Sequence, residues 1–366
     1  LGDRLPRGTA ACRRLHDLQG REVMGMILSG EVTGALTTFA GLGLALILEG
    51  DAAERVRLGW TDAAEPQMVV TADGYDDEAI AVAVHEHATA RAVSGSWIDC
   101  NLQAAPWNGN SALFSPRVKA PQSLPQWRSL QTERLQRIDH EVEDKEQLKR
   151  DIDLELIGAL GEPAYWRFAN NGPRPDEGAN RWEMKTRNRG EDFIRNRLRQ
   201  LAQIVADRDA SAIASGLIGQ SVKDEAYKGK RSDESRTATG LTSPRFTDSA
   251  LAWCALWGIS SFPVIHRLMG ASVTAGAVPI GKFTPMHLVL PVLVGAHTLG
   301  RWQAVVVSEQ VIQAATSRES AAAARSACAW LAAHGARATL TFHVNVSDNP
   351  NAPERSLGAG RLEALN

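Results

Sequence analysis

The sequence predicts a mixed α+β fold, with an α/β N-terminal part, a helical middle and an α+β C-terminal part. Two kinds of pattern support this class. Apolar residues recur at helical spacing in several long segments, and short alternating runs typical of strands lie towards both ends of the chain. The composition, 44% hydrophobic and 22% charged residues over 366 positions, is that of a folded protein long enough for two or three domains.

The N-terminal part, residues 1–123, is predicted to combine buried helices with a strand pair. The predicted elements, in order, are a helix from Glu31 to Glu49, strands at 55–61 and 66–72, a helix at 76–91 and a loop at 95–123. The first helix is apolar nearly all round and therefore belongs in a core. The loop is rich in Gly, Pro, Asn and Ser, and loops of this length in compact domains are commonly functional or disordered.

The middle of the chain, residues 124–222, is predicted to be helical. Its predicted elements are an apolar stripe from Leu124 to Leu160, a loop at 169–182, a helix from Glu191 to Ala206 and a short helix at 209–218. Residues 223–247 are charged and without period, so they are predicted to form a linker or loop.

The C-terminal part, residues 248–348, is predicted to be α+β, followed by a tail at 349–366. The predicted elements are an apolar helix at 248–262, strand sequence at 271–283, an Ala-rich helix at 317–335 and a strand at 337–346. Gly335 is placed to end the Ala-rich helix, because glycine readily adopts the left-handed conformation found after helix C-termini.

Net charge and cysteine usage favour a soluble cytoplasmic protein. The formal net charge is −2 and the pI is about 6.6, so any attraction to a polyanion must come from a local patch. The four cysteines lie far apart, which is typical of reduced thiols. The most apolar run, residues 34–50, is too short and too rich in Gly and Thr to span a bilayer, and no secretory signal is visible. We therefore expect no membrane association.

Sequence motifs give no positive support for catalysis, and the sequence predicts a non-enzyme without cofactor or metal. There is no Walker A motif, no G-x-S-x-G, no H-E-x-x-H and no C-x-x-C pair. His85 and His87 suggest a metal site at first sight, but on a helix two residues that are two positions apart face different sides. Two ordinary histidines are the simpler interpretation.

The stretch 181–200, RWEMKTRNRGEDFIRNRLRQ, concentrates positive charge. Seven basic residues against three acids leave +4 on twenty residues. A solvated helix with i, i+4 pairs such as Glu191–Arg195 would explain part of this charge. However, arginine outnumbers lysine six to one, and the planar guanidinium suits phosphate. The predicted phosphate contacts are Lys185, Arg187, Arg189, Arg195 and Arg199, with a second contact from Lys228, Lys230 and Arg231.

Asparagines cluster around these cations and are candidates for reading base edges. The loops 103–119 and 169–190 are predicted to carry this role. The candidate residues are Asn108, Asn110, Asn171 and Asn188. Turn chemistry alone also favours Asn in sequences such as WNGN, so each of them retains that alternative explanation. Trp97, Trp107, Trp166 and Trp182 lie in or beside loops and could serve either at a subunit interface or in the core.

Four segments, in order, resemble the large subunits of type I CRISPR effector complexes (Cascade), and within these the compact type I-G subgroup, formerly called I-U. The segments are GALTTFAGLGLALILEG (34–50), MKTRNRGEDFIRNRLRQL (184–201), ALAWCALWGISSFPV (250–264) and IGKFTPMHLVLPVLVGAHTLG (280–300). Lys185 and Thr186 match a Lys-Thr pair of the subgroup and are the residues carried over from it. The next five residues, RNRGE, and the central TPMHLVLP of the last segment depart from the subgroup's pattern.

The resemblance implies a non-catalytic subunit of a crRNA-guided antiviral surveillance complex. Such a subunit binds near the 5′ end of the guide RNA, recognises the protospacer-adjacent motif in target double-stranded DNA, and helps to open the duplex. Its partners would be crRNA, target DNA, the other effector subunits and the helicase–nuclease recruited on target binding. Two alternatives remain open from the residues alone: a metal-dependent enzyme acting on nucleic acid, and a protein-only scaffold subunit.

Overall fold

The computed structural model describes residues 25–51, 54–143, 151–161, 178–184, 193–226, 237–265, 267, 271–316, 321–348 and 353–365, with the backbone of four two-residue strands outside these ranges. The fold is mixed α+β, which confirms the predicted class. The two-residue strands form two hairpins, β1 (Leu15–His16) with β2 (Glu22–Val23) and β6 (Phe168–Ala169) with β7 (Gly172–Pro173).

The core is built around helix α1 (Ala35–Gly50), whose side chains are buried from Ala35 to Leu48. It packs against α7 (Ser249–Trp257), in which every residue is buried. The first was predicted as a core helix because it lacks a polar face, the second was predicted as an apolar helix at 248–262, and the structure confirms both helices. The helices approach closely at Gly43, where a Cβ would lie 1.8 Å from the Cys254 carbonyl oxygen. A 3₁₀ turn, Gly258–Ser261, extends the contact.

The N-terminal sheet is antiparallel and has the order β3–β5–β4. Its strands are β3 (Met26–Ile27), β4 (Val56–Trp60) and β5 (Met68–Ala72), so the predicted strand pair is confirmed. Helix α2 (Asp77–Ala92) follows, and the Asp76 carboxylate accepts a hydrogen bond from the Ala79 N–H at 2.8 Å. This capping contact satisfies one of the free amides of the first turn.

The described residues of the middle of the chain are largely helical, as predicted. The helices are α3 (Leu124–Glu143), α4 (Ile152–Leu160), α5 (Arg199–Ala206) and α6 (Ala210–Leu217). A π-helical turn, Ile194–Leu198, leads directly into α5. The predicted stripe from Leu124 to Leu160 therefore comprises two helices, and residues 144–150 between them lie outside the described part of the chain.

The C-terminal sheet is antiparallel with the order β10–β11–β12–β13. Its strands are β10 (Ala277–Val278), β11 (His287–Leu293), β12 (Ala336–Val346) and β13 (Arg355–Ala364). Two-residue strands β8 (Val264–Ile265) and β9 (Val273–Thr274) pair with each other. The accompanying helices are α8 (Leu299–Val306), α9 (Glu309–Thr316) and α10 (Ala321–Ala333). The predicted strand sequence at 271–283 is in fact split between β9 and β10, followed by a loop.

The predicted tail at 349–366 is wrong, because most of it forms strand β13. The Gly358 and Gly360 positions weaken its strand pattern in the sequence, but its backbone pairs with β12 from Ala338 to Val346. Its outer edge is covered in part, since the Leu357 N–H donates to the Gly240 carbonyl at 2.9 Å and the Gly360 N–H to the Thr33 carbonyl at 2.8 Å. These contacts leave fewer backbone groups open to edge-to-edge pairing.

One continuous hydrophobic cluster crosses the predicted parts of the chain. It includes residues from 1–123, 124–222 and 248–348. The predicted linker at 223–247 also contributes, because Leu241 is fully buried. Among the described helices, none combines the length and apolar character needed to cross a bilayer.

Burial of His297 makes the stability of this fold depend on pH. Desolvation lowers the pKa of His297 from 6.5 to about 4. The residue lies beside β4, where its backbone exchanges hydrogen bonds with Leu58 at 2.8 and 2.9 Å. Between pH 6.5 and 4 the unfolded chain binds this proton and the folded chain does not, so the contribution to stability is present above pH 6.5 and is lost as the pH falls.

We expect the His297 contribution to fall by about 2 kcal/mol between pH 7.5 and pH 5. Urea unfolding at the two pH values, for the wild type and for His297→Gln, measures this difference. The variant should show a shallower pH dependence by about that amount. An identical pH dependence in both proteins would show that His297 is not the group responsible.

Candidate nucleic-acid interface

Most of the predicted site residues lie outside the described part of the chain. These are Lys185, Thr186, Arg187, Asn188, Arg189, Asn171, Lys228, Lys230 and Arg231. The structure places the other four, Asn108, Asn110, Arg195 and Arg199. It also describes both sides of residues 185–192, and these flanks define where that segment is anchored.

The loop 95–123 is a compact structure without regular strands. Its centre is pinned by an isolated bridge between Asn101 and Ala112, and the Leu102 N–H donates to the Ser111 carbonyl at 2.8 Å. Trp107 is buried beneath it and donates from Nε1 to the Lys119 carbonyl at 2.9 Å. The loop therefore has a hydrophobic anchor of its own.

Asn108 and Asn110 lie at the exposed turn of this loop. Asn108 has a φ of +46°, a left-handed conformation that asparagine tolerates better than most residues. Asn108 therefore has a structural role in the turn. Turn chemistry is the alternative explanation that the sequence left open beside the reading of base edges. Both residues are exposed, so the turn presents two amides at the surface.

Arg195 brings the basic stretch to this turn. The residue is exposed, and its Nη1 donates to the carbonyl oxygen of Asn110. The two residues are 85 positions apart in sequence. The structure thus joins a predicted phosphate contact and a predicted base-reading residue, a proximity that the sequence did not predict.

Arg199 is held by its own fold, contrary to its predicted role. Its guanidinium donates to the Ile98 carbonyl from Nε at 3.0 Å and from Nη2 at 2.7 Å. The Asp99 carboxylate lies 3.3 Å from Nε. These partners neutralise and orient the guanidinium, which argues against a phosphate contact and assigns Arg199 to anchoring the loop.

Two further arginines of the stretch are also internal. Arg197 is buried and donates from Nη1 to the Glu183 carbonyl at 3.0 Å and to the Thr239 carbonyl at 2.5 Å. Arg181 is buried, with its guanidinium carbon 5.6 Å from the centre of the Phe283 ring. The charge of +4 counted over 181–200 therefore overstates the charge at the surface.

A buried ion pair fixes the other side of the segment 185–192. Arg117 Nη2 lies 2.6 Å from Glu183 Oε1, and the two side chains are 4% and 0% exposed. Arg134 of α3 donates to the Leu113 and Ser115 carbonyls at 2.7 and 2.9 Å, which holds the same loop from below. Loop 95–123 is therefore attached before residue 185 through Glu183 and after residue 192 through Arg195 and Arg199.

The loop between β10 and β11 reaches the same region, and sequence reasoning missed it. Lys282, Phe283 and Thr284 are exposed at its tip. Arg355 Nη2 donates to Thr284 Oγ1 at 2.9 Å. The signal available in the sequence was the exposed-type run GKFTP, of which the first three residues were instead predicted as the end of a strand.

The histidine pair and the tryptophans have structural roles. His85 Nε2 lies 3.1 Å from the Ala206 carbonyl oxygen, whereas buried His87 accepts a hydrogen bond from Trp253 Nε1 at 3.1 Å. Within the described ranges, no group of three or more His, Cys, Asp or Glu is placed to hold a metal ion. Trp97, Trp107 and Trp182 are buried in the core. Trp166 lies outside the described residues.

A cavity of about 400 Å³ lies between the end of α1 and helices α2, α3 and α4. Its wall contains a network in which Asp153 accepts hydrogen bonds from Arg91 at 2.8 and 2.7 Å and from Trp97 Nε1 at 2.6 Å. Arg91 also lies 4.9 Å from the centre of the Trp257 ring. These polar groups satisfy one another, so the network holds α2 and α4 together.

No protein-family model matches this chain, and no curated protein matches it.

Proposed function

We propose that this chain is the non-catalytic large subunit of a crRNA-guided type I CRISPR surveillance complex, of the compact type I-G kind. One observation supports this function best: the exposed Arg195, which follows the segment 185–192, contacts the Asn110 turn of the Asn-bearing loop. The ordered resemblance over residues 30–300 supplies the identity of the complex.

Cations and amides have different roles in DNA recognition, and a protein that reads a short motif needs both on one surface. Arginine and lysine contacts to phosphates supply affinity for any sequence, whereas amides at base edges supply discrimination. In a guide-bearing complex, base pairing reads the long target, and the protein needs to read only a short adjacent motif. Contacts of Glu183 and Arg199 attach loop 95–123 to the residues on either side of the segment 185–192.

The partners in this proposal are crRNA, target double-stranded DNA, the other effector subunits and a helicase–nuclease recruited after target binding. The place of action is the cytoplasm, in antiviral defence. Two other functions are separable by simple tests. Cleavage of labelled DNA by the purified chain with Mg²⁺ or Mn²⁺ would identify an enzyme, and absence of any DNA binding would identify a protein-only scaffold.

Replacement of Arg187, Arg189 and Arg195 by Ala is expected to weaken duplex binding for every DNA sequence. Each lost phosphate contact should reduce the slope of log affinity against log salt by about 0.9. The measurement is a filter-binding titration of the full chain with duplex DNA at several salt concentrations. A reduction in slope of about two to three units is the expected outcome for the triple variant.

The control is a second triple variant that also removes three positive charges, but at other positions on the surface. Arg55, Arg325 and Arg337 are exposed and belong to neither loop 103–119 nor residues 185–199. Their triple replacement by Ala should alter the slope far less, because long-range charge is screened within about 10 Å at 0.1 M salt. Equal effects from the two triple variants would overturn the assignment of the surface.

A further inference from the structure

The tip of the β10–β11 loop combines an exposed aromatic ring with surrounding cations. Phe283 is 45% exposed, although phenylalanine is among the residue types most often buried. Lys282 precedes it and is exposed. Arg267 Nη1 lies so close to Gly281 that a Cβ at that glycine would be 2.4 Å from it. The loop and the neighbouring Arg267 together present one ring and two cations.

The orientation of the Phe283 ring is set from below. The guanidinium carbon of Arg181 lies 5.6 Å from the ring centre, and Arg181 itself is 1% exposed. A cation over an aromatic face is attracted by the ring quadrupole. The hydrogen bond of 2.9 Å from Arg355 to Thr284 holds the next residue of the loop. A ring that is supported in this way loses little freedom when a second planar group stacks on it.

The loop tip lies beside the start of the basic segment. A Cβ at Gly240 would be 2.6 Å from Met184 Cβ and 2.9 Å from the Arg355 carbonyl oxygen. Met184 is the residue immediately before Lys185. Gly240 therefore lies between Met184, the residue before the basic segment, and Arg355 of β13, whose side chain bonds to Thr284.

We propose that Phe283 is a stacking platform for an unpaired nucleobase, with Lys282 and Arg267 contacting the phosphates on either side of it. Every nucleobase has a π-face, and a groove with cations and an exposed ring binds single strands with little dependence on sequence. A base inside a continuous duplex has both faces covered by its neighbours, so the ring distinguishes single strands from duplexes. The inference rests on the proposed function and adds a second kind of ligand to the same surface.

The test measures binding of the full chain to a 2-aminopurine-labelled single strand and to the corresponding duplex. Phe283→Ala should lower the affinity for the single strand about 5- to 150-fold, the range that one base–aromatic stack contributes. Duplex affinity and the salt slope should remain unchanged, since no phosphate contact is removed. RNA and DNA single strands are compared, because the guide and a displaced DNA strand could each supply the base.

Three variants control the test. Phe283→Tyr keeps the ring and should bind as the wild type does, with quenched 2-aminopurine fluorescence. Phe283→Leu keeps the apolar volume without a ring, and it should lose both the affinity for the single strand and the quenching. This variant carries the test if Phe283→Ala does not fold. Met286→Ala removes the neighbouring exposed apolar side chain and should leave single-strand binding intact.

The outcomes separate the two claims. If Phe283→Leu binds the single strand like the wild type while the triple arginine variant loses duplex binding, the stacking platform is wrong and the proposed function stands. If the wild-type chain binds neither single strand nor duplex, both are overturned. If Phe283→Leu and Met286→Ala lose single-strand affinity equally, general apolar contact replaces stacking and the inference fails.

Discussion

Gly43→Ala is expected to lower the free energy of unfolding by at least about 3 kcal/mol, at the upper end of the range for overpacked cores. The added Cβ would lie 1.8 Å from the Cys254 carbonyl oxygen and 2.6 Å from the Gly258 nitrogen. Both neighbours are backbone atoms, so no side chain can rotate away. Helices α1 and α7 would have to move apart, which is costly because they form the centre of the core. Urea unfolding monitored by circular dichroism measures the change.

The matched control is another helical glycine. At Gly158 of α4, an added Cβ would have no heavy atom within 4 Å outside its own helix backbone and chain neighbours. Gly158→Ala is expected to stabilise the protein by roughly 0.5–1 kcal/mol, because alanine loses less backbone entropy in a helix. If Gly43→Ala and Gly158→Ala had similar stabilities, the close approach of α1 and α7 would be contradicted.

Glu183→Ala is expected to destabilise the protein by about 3–5 kcal/mol, because it leaves Arg117 as a buried charge without its carboxylate. The pair is 2.6 Å apart, and Glu183 is fully buried. Thermal and urea unfolding measure the loss. The same variant should also weaken discrimination between duplex sequences, because the pair attaches the Asn108 and Asn110 loop to the base of the basic segment.

An exposed ion pair supplies the comparison. Arg361 and Glu363 on β13 are 3.0 Å apart, with side chains 59% and 41% exposed. Glu363→Ala is expected to cost at most about 1 kcal/mol, as is usual for pairs in contact with water. A loss for Glu183→Ala no larger than that for Glu363→Ala would refute the anchoring role of the buried pair.

The fold class and the core helices could be predicted because their patterns are local. α1 and α7 are apolar on all sides, and such a helix has no stable position except in a core. Strand β11 was missed because Pro291 interrupts an apolar run. The structure tolerates this proline since β11 is bonded only to β12 at that position.

The contacts of the predicted site residues could not be predicted from the sequence, because charge counts say nothing about distant partners. Arg199 is held by a carbonyl that lies 101 positions away, and Arg197 by carbonyls 14 and 42 positions away. The contact between Arg195 and Asn110 is equally remote in sequence. Residue type and clustering predict a binding region, and this stays a prediction, whereas the division between surface cations and internal anchors required the fold.

Hydrogen exchange of the full chain with and without bound duplex DNA tests the central claim most directly. We predict that protection on binding appears together in residues 103–119 and 185–199, since the proposed surface includes both and Arg195 contacts Asn110. Residues of α10 (Ala321–Ala333), which lie outside that surface, should exchange as in the free protein. Protection confined to α10, or no protection anywhere at saturating DNA, would contradict it.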